Sequence, residues 1–128
     1  MEVEAIGTFE VKLTPIGSGE SPIGSMSIDK TFHGDLQGTS IGQMLAFRSG
    51  VDGSAGYVAM ERITGTLGGR EGSFTLQHSG LMDKGAPSLT VVVVPDSAIG
   101  GLAGLAGTMN IVVTPGRHDY QFLYTLPD

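Results

Sequence analysis

Apolar and polar residues alternate with period two along most of the chain, the spacing of strands that turn one face to a core and the other to solvent. Eight strands are predicted. The first, about Glu2 to Leu13, puts Val3, Ala5, Phe9, Val11 and Leu13 opposite Glu2, Glu4, Thr8, Glu10 and Lys12. The second, about Ile23 to Phe32, sets Met26, Ile28, Lys30 and Phe32 against Ser27, Asp29 and Thr31. The third, about Gly38 to Phe47, carries apolar residues at both parities, so its inner face stays open. The fourth, about Ala55 to Leu67, shows Tyr57, Ala59, Glu61 and Ile63 on one side, and Val58, Met60, Arg62 and Thr64 on the other. The fifth, Arg70 to His78, reads Arg, Gly, Phe, Leu, His at even positions and Glu, Ser, Thr, Gln at odd ones. The sixth, Leu89 to Pro95, contains four consecutive valines and reads as buried on both faces. The seventh, about Thr108 to Thr114, aligns Met109, Ile111 and Val113. The eighth aligns His118, Tyr120, Phe122, Tyr124 and Leu126.

No segment keeps a helical period. Ser97 to Leu105, with three glycines, reads as one short helical turn or a plug. Eight successive strands with short connections imply antiparallel meander pairing. A sheet of that size splits into a sandwich or closes on itself, and closure removes the exposed edges. Glycines inside the strand patterns suit the bends of a barrel. The predicted fold is therefore all-β: a single antiparallel eight-stranded closed barrel over 1–128, with a sandwich as the alternative. Such a barrel is just wide enough to be filled by its own side chains or to hold one small ligand.

Composition narrows the function. At 128 residues the chain builds one core without staples, and the absence of cysteine removes disulfides, thiolate metal sites and cysteine nucleophiles. Its 21 glycines are dispersed and 40% of the residues are hydrophobic, unlike a disordered chain. The net charge is −6, with seven Lys plus Arg and no basic cluster, so nucleic acid is not an expected partner. No apolar run approaches the ~20 residues of a membrane helix. The start Met1-Glu2-Val3-Glu4-Ala5 lacks the basic and apolar regions of a signal peptide. The chain reads as soluble and cytoplasmic, without a membrane partner.

Packing does not account for the ionisable residues that share apolar faces: Lys30, Glu61, Arg70, His78 and His118. Buried charge needs a partner, a wet pocket or a ligand. Collected in one lumen, Glu61 or His78 would act as acid or base, with Lys30 and Arg70 stabilising developing negative charge. Tyr57, Phe74, His118, Tyr120 and Tyr124 would contact the ligand. The structural alternative is an ion-pair network in which Glu61 neutralises Arg70 or Lys30. Arg62, beside Glu61, is expected to point outward.

Other candidates are weaker. Glu61, His78 and His118 have the donor types for zinc or iron, but no short ligand spacing joins them, and neither metal nor cofactor is expected. His33-Gly34-Asp35 reads as a turn, with a His33 base held by Asp35 as the alternative. Gly38-Thr39-Ser40-Ile41-Gly42 spells a nucleophile elbow without the helix that motif requires. Gly100 to Gly104 lacks the Lys and Ser/Thr of a phosphate loop, leaving a connector or a barrel lid.

Four segments, Lys30–Ser40 (KTFHGDLQGTS), Gly56–Leu67 (GYVAMERITGTL), Gly69–His78 (GREGSFTLQH) and Leu102–Met109 (LAGLAGTM), resemble an uncharacterised bacterial family. Its members are domains of unknown function with a fold similar to the allene oxide cyclase barrel. The resemblance covers nearly the whole chain. It implies a small antiparallel eight-stranded barrel, often oligomeric, and no established activity. Allene oxide cyclases guide a fatty-acid epoxide into ring closure inside an apolar lumen; none of their catalytic residues is carried over to this chain.

The combined reading is a barrel that binds a small, largely apolar ligand in its lumen. Its enzymatic form is a cofactor-independent cyclase or isomerase. The alternative is a non-catalytic structural or interaction barrel filled by its own side chains. A homo-oligomer is expected because Val58, Met60 and the Val91–Val94 run would otherwise expose apolar surface.

Overall fold

The computed structural model describes residues 1–17 and 19–127. Among them are nine strands and no helix: β1 (Val3–Ile16), β2 (Gly24–Gly34), β3 (Leu36–Arg48), β4 (Ala55–Leu67), β5 (Arg70–Asp83), β6 (Ala86–Val93), β7 (Ile99–Gly100), β8 (Ala106–Thr114) and β9 (Arg117–Thr125). Each strand from β1 to β6 pairs antiparallel with the next; β6 then pairs β8, β8 pairs β9, and β9 returns to β1. The sheet closes as an antiparallel eight-stranded barrel, and β7 adds two residues to the start of β5. Closure rules out the sandwich. Among the described residues, no helix is long and apolar enough to cross a membrane.

The two ends of the barrel differ. At one end lie the β2–β3 and β4–β5 turns and the segment from β6 to β8. That segment forms no helical turn, contrary to one expectation. Ile99 and Gly100 pair with Ser73 and Gly72, the Gly101 amide donates to Glu71 O at 2.7 Å, and Ala98, Leu102 and Leu105 are buried. It is the plug. Outside the wall, Arg62 Nη1 donates to Ser97 O at 2.7 Å and to Thr75 Oγ1 at 3.1 Å, fastening the plug to β4 and β5. Arg62 thus faces outward, as the alternation predicts.

The interior above the plug is packed. Phe32, Leu36, Ile63, Phe74, Leu76 and Phe122 are fully buried, and the Phe74 and Phe122 rings are parallel with centroids 5.8 Å apart. Each such side chain contributes about 1.5–3 kcal/mol by leaving water. Tyr120 ties this half to the β2–β3 turn: its hydroxyl accepts from the Leu36 amide at 2.8 Å and donates to His33 O at 2.9 Å. The turn closes over Gly7, where a Cβ on Gly34 would stand 2.7 Å from Gly7 Cα, and Gly34 has a φ of 101°. Only glycine satisfies both demands.

Val91 and Val93 point into the core while Val92 and Val94 are half-buried on the other side. The valine run is absorbed by the wall, so it does not supply the exposed surface expected of it. Exposed apolar side chains instead gather on the outer face of β3–β5: Ile41, Leu45, Phe47, Val58, Met60 and Leu81.

Candidate functional site

Four adjacent strands each send one polar side chain to the same depth of the lumen: Lys30 from β2, Ser40 from β3, Glu61 from β4 and His78 from β5. Register explains the meeting. Lys30 pairs with Ser40, and Glu61 lies opposite Gly42 on β3 and Leu76 on β5. A Cβ on Gly42 would approach Met60 O to 2.3 Å and Glu61 Cβ to 2.9 Å, so this glycine lets β3 and β4 close tightly beside the carboxylate.

Glu61 is the hub, and its side chain is 0% exposed. Lys30 Nζ donates to Oε1 at 2.9 Å, His78 Nε2 lies 2.6 Å from Oε1, and Ser40 Oγ donates to Oε2 at 2.6 Å. Burial alone would raise the Glu61 carboxyl. The His78 hydrogen bond, the Lys30 charge and the Ser40 hydroxyl outweigh it and hold the group at about 2. Lys30 Nζ also sits 4.6 Å from the Phe9 ring centroid and 5.7 Å from that of Phe32. The aromatic faces thereby stabilise the part of the ammonium turned from Glu61. Among the described residues, no sealed side-chain nitrogen or oxygen lacks a partner.

With Glu61 ionised, His78 Nε2–H is the donor and Nδ1 faces away. The His78 side chain is 4% exposed, so the ring is buried with the carboxylate it serves. Ser40 gives its proton to Glu61 and does not touch His78. A nucleophilic serine needs the base at its own hydroxyl, so this order, Ser–Glu–His, does not activate Ser40. The Gly38–Gly42 spelling sits in mid-strand β3, with no helix after it.

Toward the open end the lumen widens into a cavity of about 360 Å³, lined by Met44, Ala46, Tyr57, Gly80, Met82 and Leu89 among others. Tyr57 forms the floor on the side of the ionic cluster. Its ring lies across Gly80, where a Cβ would come 2.3 Å from Tyr57 Cε1. Burial, and then the Glu61 charge, push the Tyr57 hydroxyl pKa up, keeping it a proton donor at neutral pH. The lining is almost wholly apolar. Met44 and Met82 give it side chains that adapt to irregular shapes.

The structure brings Lys30, Glu61 and His78 together, with Tyr57 above them. It does not bring in Arg70, which is exposed at the β4–β5 turn of the plugged end; the partner of Glu61 is Lys30. His118 packs against Phe9 with tilted rings, centroids 5.0 Å apart, and is not among the hydrogen-bond partners of Glu61. Phe74, Tyr120 and Tyr124 belong to the packed half. Among the described residues, no three His, Asp or Glu side chains are grouped to hold a metal. His33 pairs with the Glu10 carboxylate at 2.7 Å, not with Asp35, whose Oδ2 accepts from the Ile6 amide at 2.9 Å. That segment is a turn. Ser40 is the member the sequence reading missed, because β3 is apolar at both parities.

No curated protein matches the chain. A protein of unknown function of the DUF3224 family from Shewanella oneidensis MR-1, known from its crystal structure, is 44% identical. The two superpose with a TM-score of 0.93 over 100% of this chain and 99% of that one. Residues 5–124 match the same family, described as a protein of unknown function. By that match, spanning all eight barrel strands, the chain belongs to the DUF3224 family of proteins of unknown function.

Proposed function

We propose that the open half of the barrel binds a small, largely apolar ligand whose single polar group meets Tyr57. The observation that carries this reading is the apolar cavity of about 360 Å³ directly above a saturated ionic cluster, in a barrel otherwise filled by its own side chains. Pockets of this size suit small ligands, with apolar walls for affinity and few polar groups for orientation. In the enzymatic form, a cyclase or isomerase without cofactor, His78 moves the proton and Lys30 stabilises negative charge from beneath the Tyr57 floor. Glu61 orients His78, because a carboxylate held at about 2 is a weak base at neutral pH.

Native mass spectrometry of the protein purified from cells tests the binding. Adduct masses in the small-molecule range are expected, and they should disappear in Met44→Trp, which fills the cavity while the fold is retained. Bare wild-type protein, or an adduct unchanged by Met44→Trp, contradicts it.

The outer face of β3–β5 supports a second reading, a homo-oligomer. Ile41 and Leu81 are 68% and 66% exposed, and between them Leu45, Val58 and Met60 continue the patch without a carboxylate. Copies of a chain with net charge −6 repel one another through acidic surfaces, so this carboxylate-free face is where a second copy is accommodated. Sedimentation at micromolar concentration should show a dimer or larger species that Val58→Asp converts to monomer. A wild-type monomer contradicts this reading.

A further inference from the structure

One seam of the barrel is scarcely laddered. Every other neighbouring pair in the ring is joined at six or more positions, but β6 and β8 share only Val92↔Thr108. Stagger does not explain the gap, because both strands continue toward the open end. The same register would set Thr90 against Asn110, Ser88 against Val112 and Ala86 against Thr114, and none of these is paired. The facing edges therefore carry no ladder along this stretch, an arrangement closed barrels ordinarily avoid.

The gap adjoins the cavity. Pro87, Ser88 and Leu89, within the unpaired stretch of β6, also line the cavity wall, and among the described residues β6 is paired there only with β5. Leu89 on one side and Val112 and Val113 on the other are exposed. An apolar molecule crossing between the strands would meet these three apolar side chains beside the unpaired backbone groups of the two edges. Parting any other seam breaks a ladder of several hydrogen bonds, whereas this one opens at low cost, as segments with few backbone bonds do.

We propose that the β6–β8 seam, a slot continuous with the open end, is the lateral portal through which the ligand reaches the lumen, and that the ligand is an elongated apolar molecule able to thread between two strands. The inference rests on the lumen-binding reading above. The chain has no cysteine, so Thr90→Cys with Asn110→Cys installs the only thiols, and a short bifunctional thiol reagent staples the seam. Stopped-flow fluorescence with N-phenyl-1-naphthylamine then reads association. Stapling should slow association at least tenfold against the same variant before stapling. A staple at the laddered Thr31↔Thr39 pair, made with Thr31→Cys and Thr39→Cys, should leave the rate unchanged. Equal rates before and after stapling the β6–β8 seam overturn the portal and leave lumen binding standing. A wild-type protein that binds no probe overturns both.

Discussion

The two halves of the lumen are built by the same eight strands and do opposite things. In the plugged half, inward positions carry Phe32, Leu36, Ile63, Phe74 and Phe122, and no room is left. In the open half they carry Met44, Ala46, Tyr57, Gly80 and Met82, and a cavity remains. Alternation is equally regular in both, so side-chain volume decides which half is packed and which keeps a cavity. The Lys30–Ser40–Glu61–His78 layer marks the boundary. Charges at that depth are tolerable because each is partnered, and they lie beneath Tyr57, which floors the cavity.

The boundary layer is where the comparison breaks most readily. Lys30→Met leaves Glu61 buried without its cation and should cost about 3–5 kcal/mol in urea unfolding. Adding Glu61→Leu should recover part of that loss, because the buried charge goes with it. A cost below about 1 kcal/mol for Lys30→Met would mean that Lys30 is not the counter-ion of Glu61.

The packed half should be almost as sensitive and the open half indifferent. Phe74→Ala should cost about 3–5 kcal/mol through the cavity it leaves, while Met82→Ala, at an exposed rim, should stay within about 0.5 kcal/mol. Equal costs at the two sites would erase the distinction between core and mouth.

Acid gives a comparable test without mutation. The Glu61 carboxyl lies at about 2 in the folded protein, against 4.5 when unperturbed. Its contribution, roughly 3 kcal/mol, is therefore complete above pH 4.5 and lost as pH falls through about 2. Unfolding free energies measured from pH 6 to pH 2 should fall more steeply for wild type than for Glu61→Gln. Parallel pH profiles would contradict the depressed Glu61 pKa.

The boundary layer was largely legible in the sequence because strand alternation is strict. Lys30, Glu61 and His78 share faces with Ile28, Ile63 and Leu76, and those faces are indeed the inner ones. Parity reports a face but not a depth. Arg70 has the parity of His78, yet it starts β5 beside a turn and ends in solvent. His118 likewise meets Phe9 instead of the cluster. Ser40 was hidden because Ile41, Leu45 and Phe47 make the outer face of β3 as apolar as an inner one. The sparse β6–β8 ladder follows from closing the ring, a long-range event that no local pattern records.

The most direct test of the central claim is an equilibrium fluorescence titration of wild-type protein and Ala46→Trp with N-phenyl-1-naphthylamine. Wild type should show saturable binding at one site per chain, lost in Ala46→Trp at unchanged thermal stability. Binding undiminished by Ala46→Trp, or no saturable binding by the wild type, would contradict it.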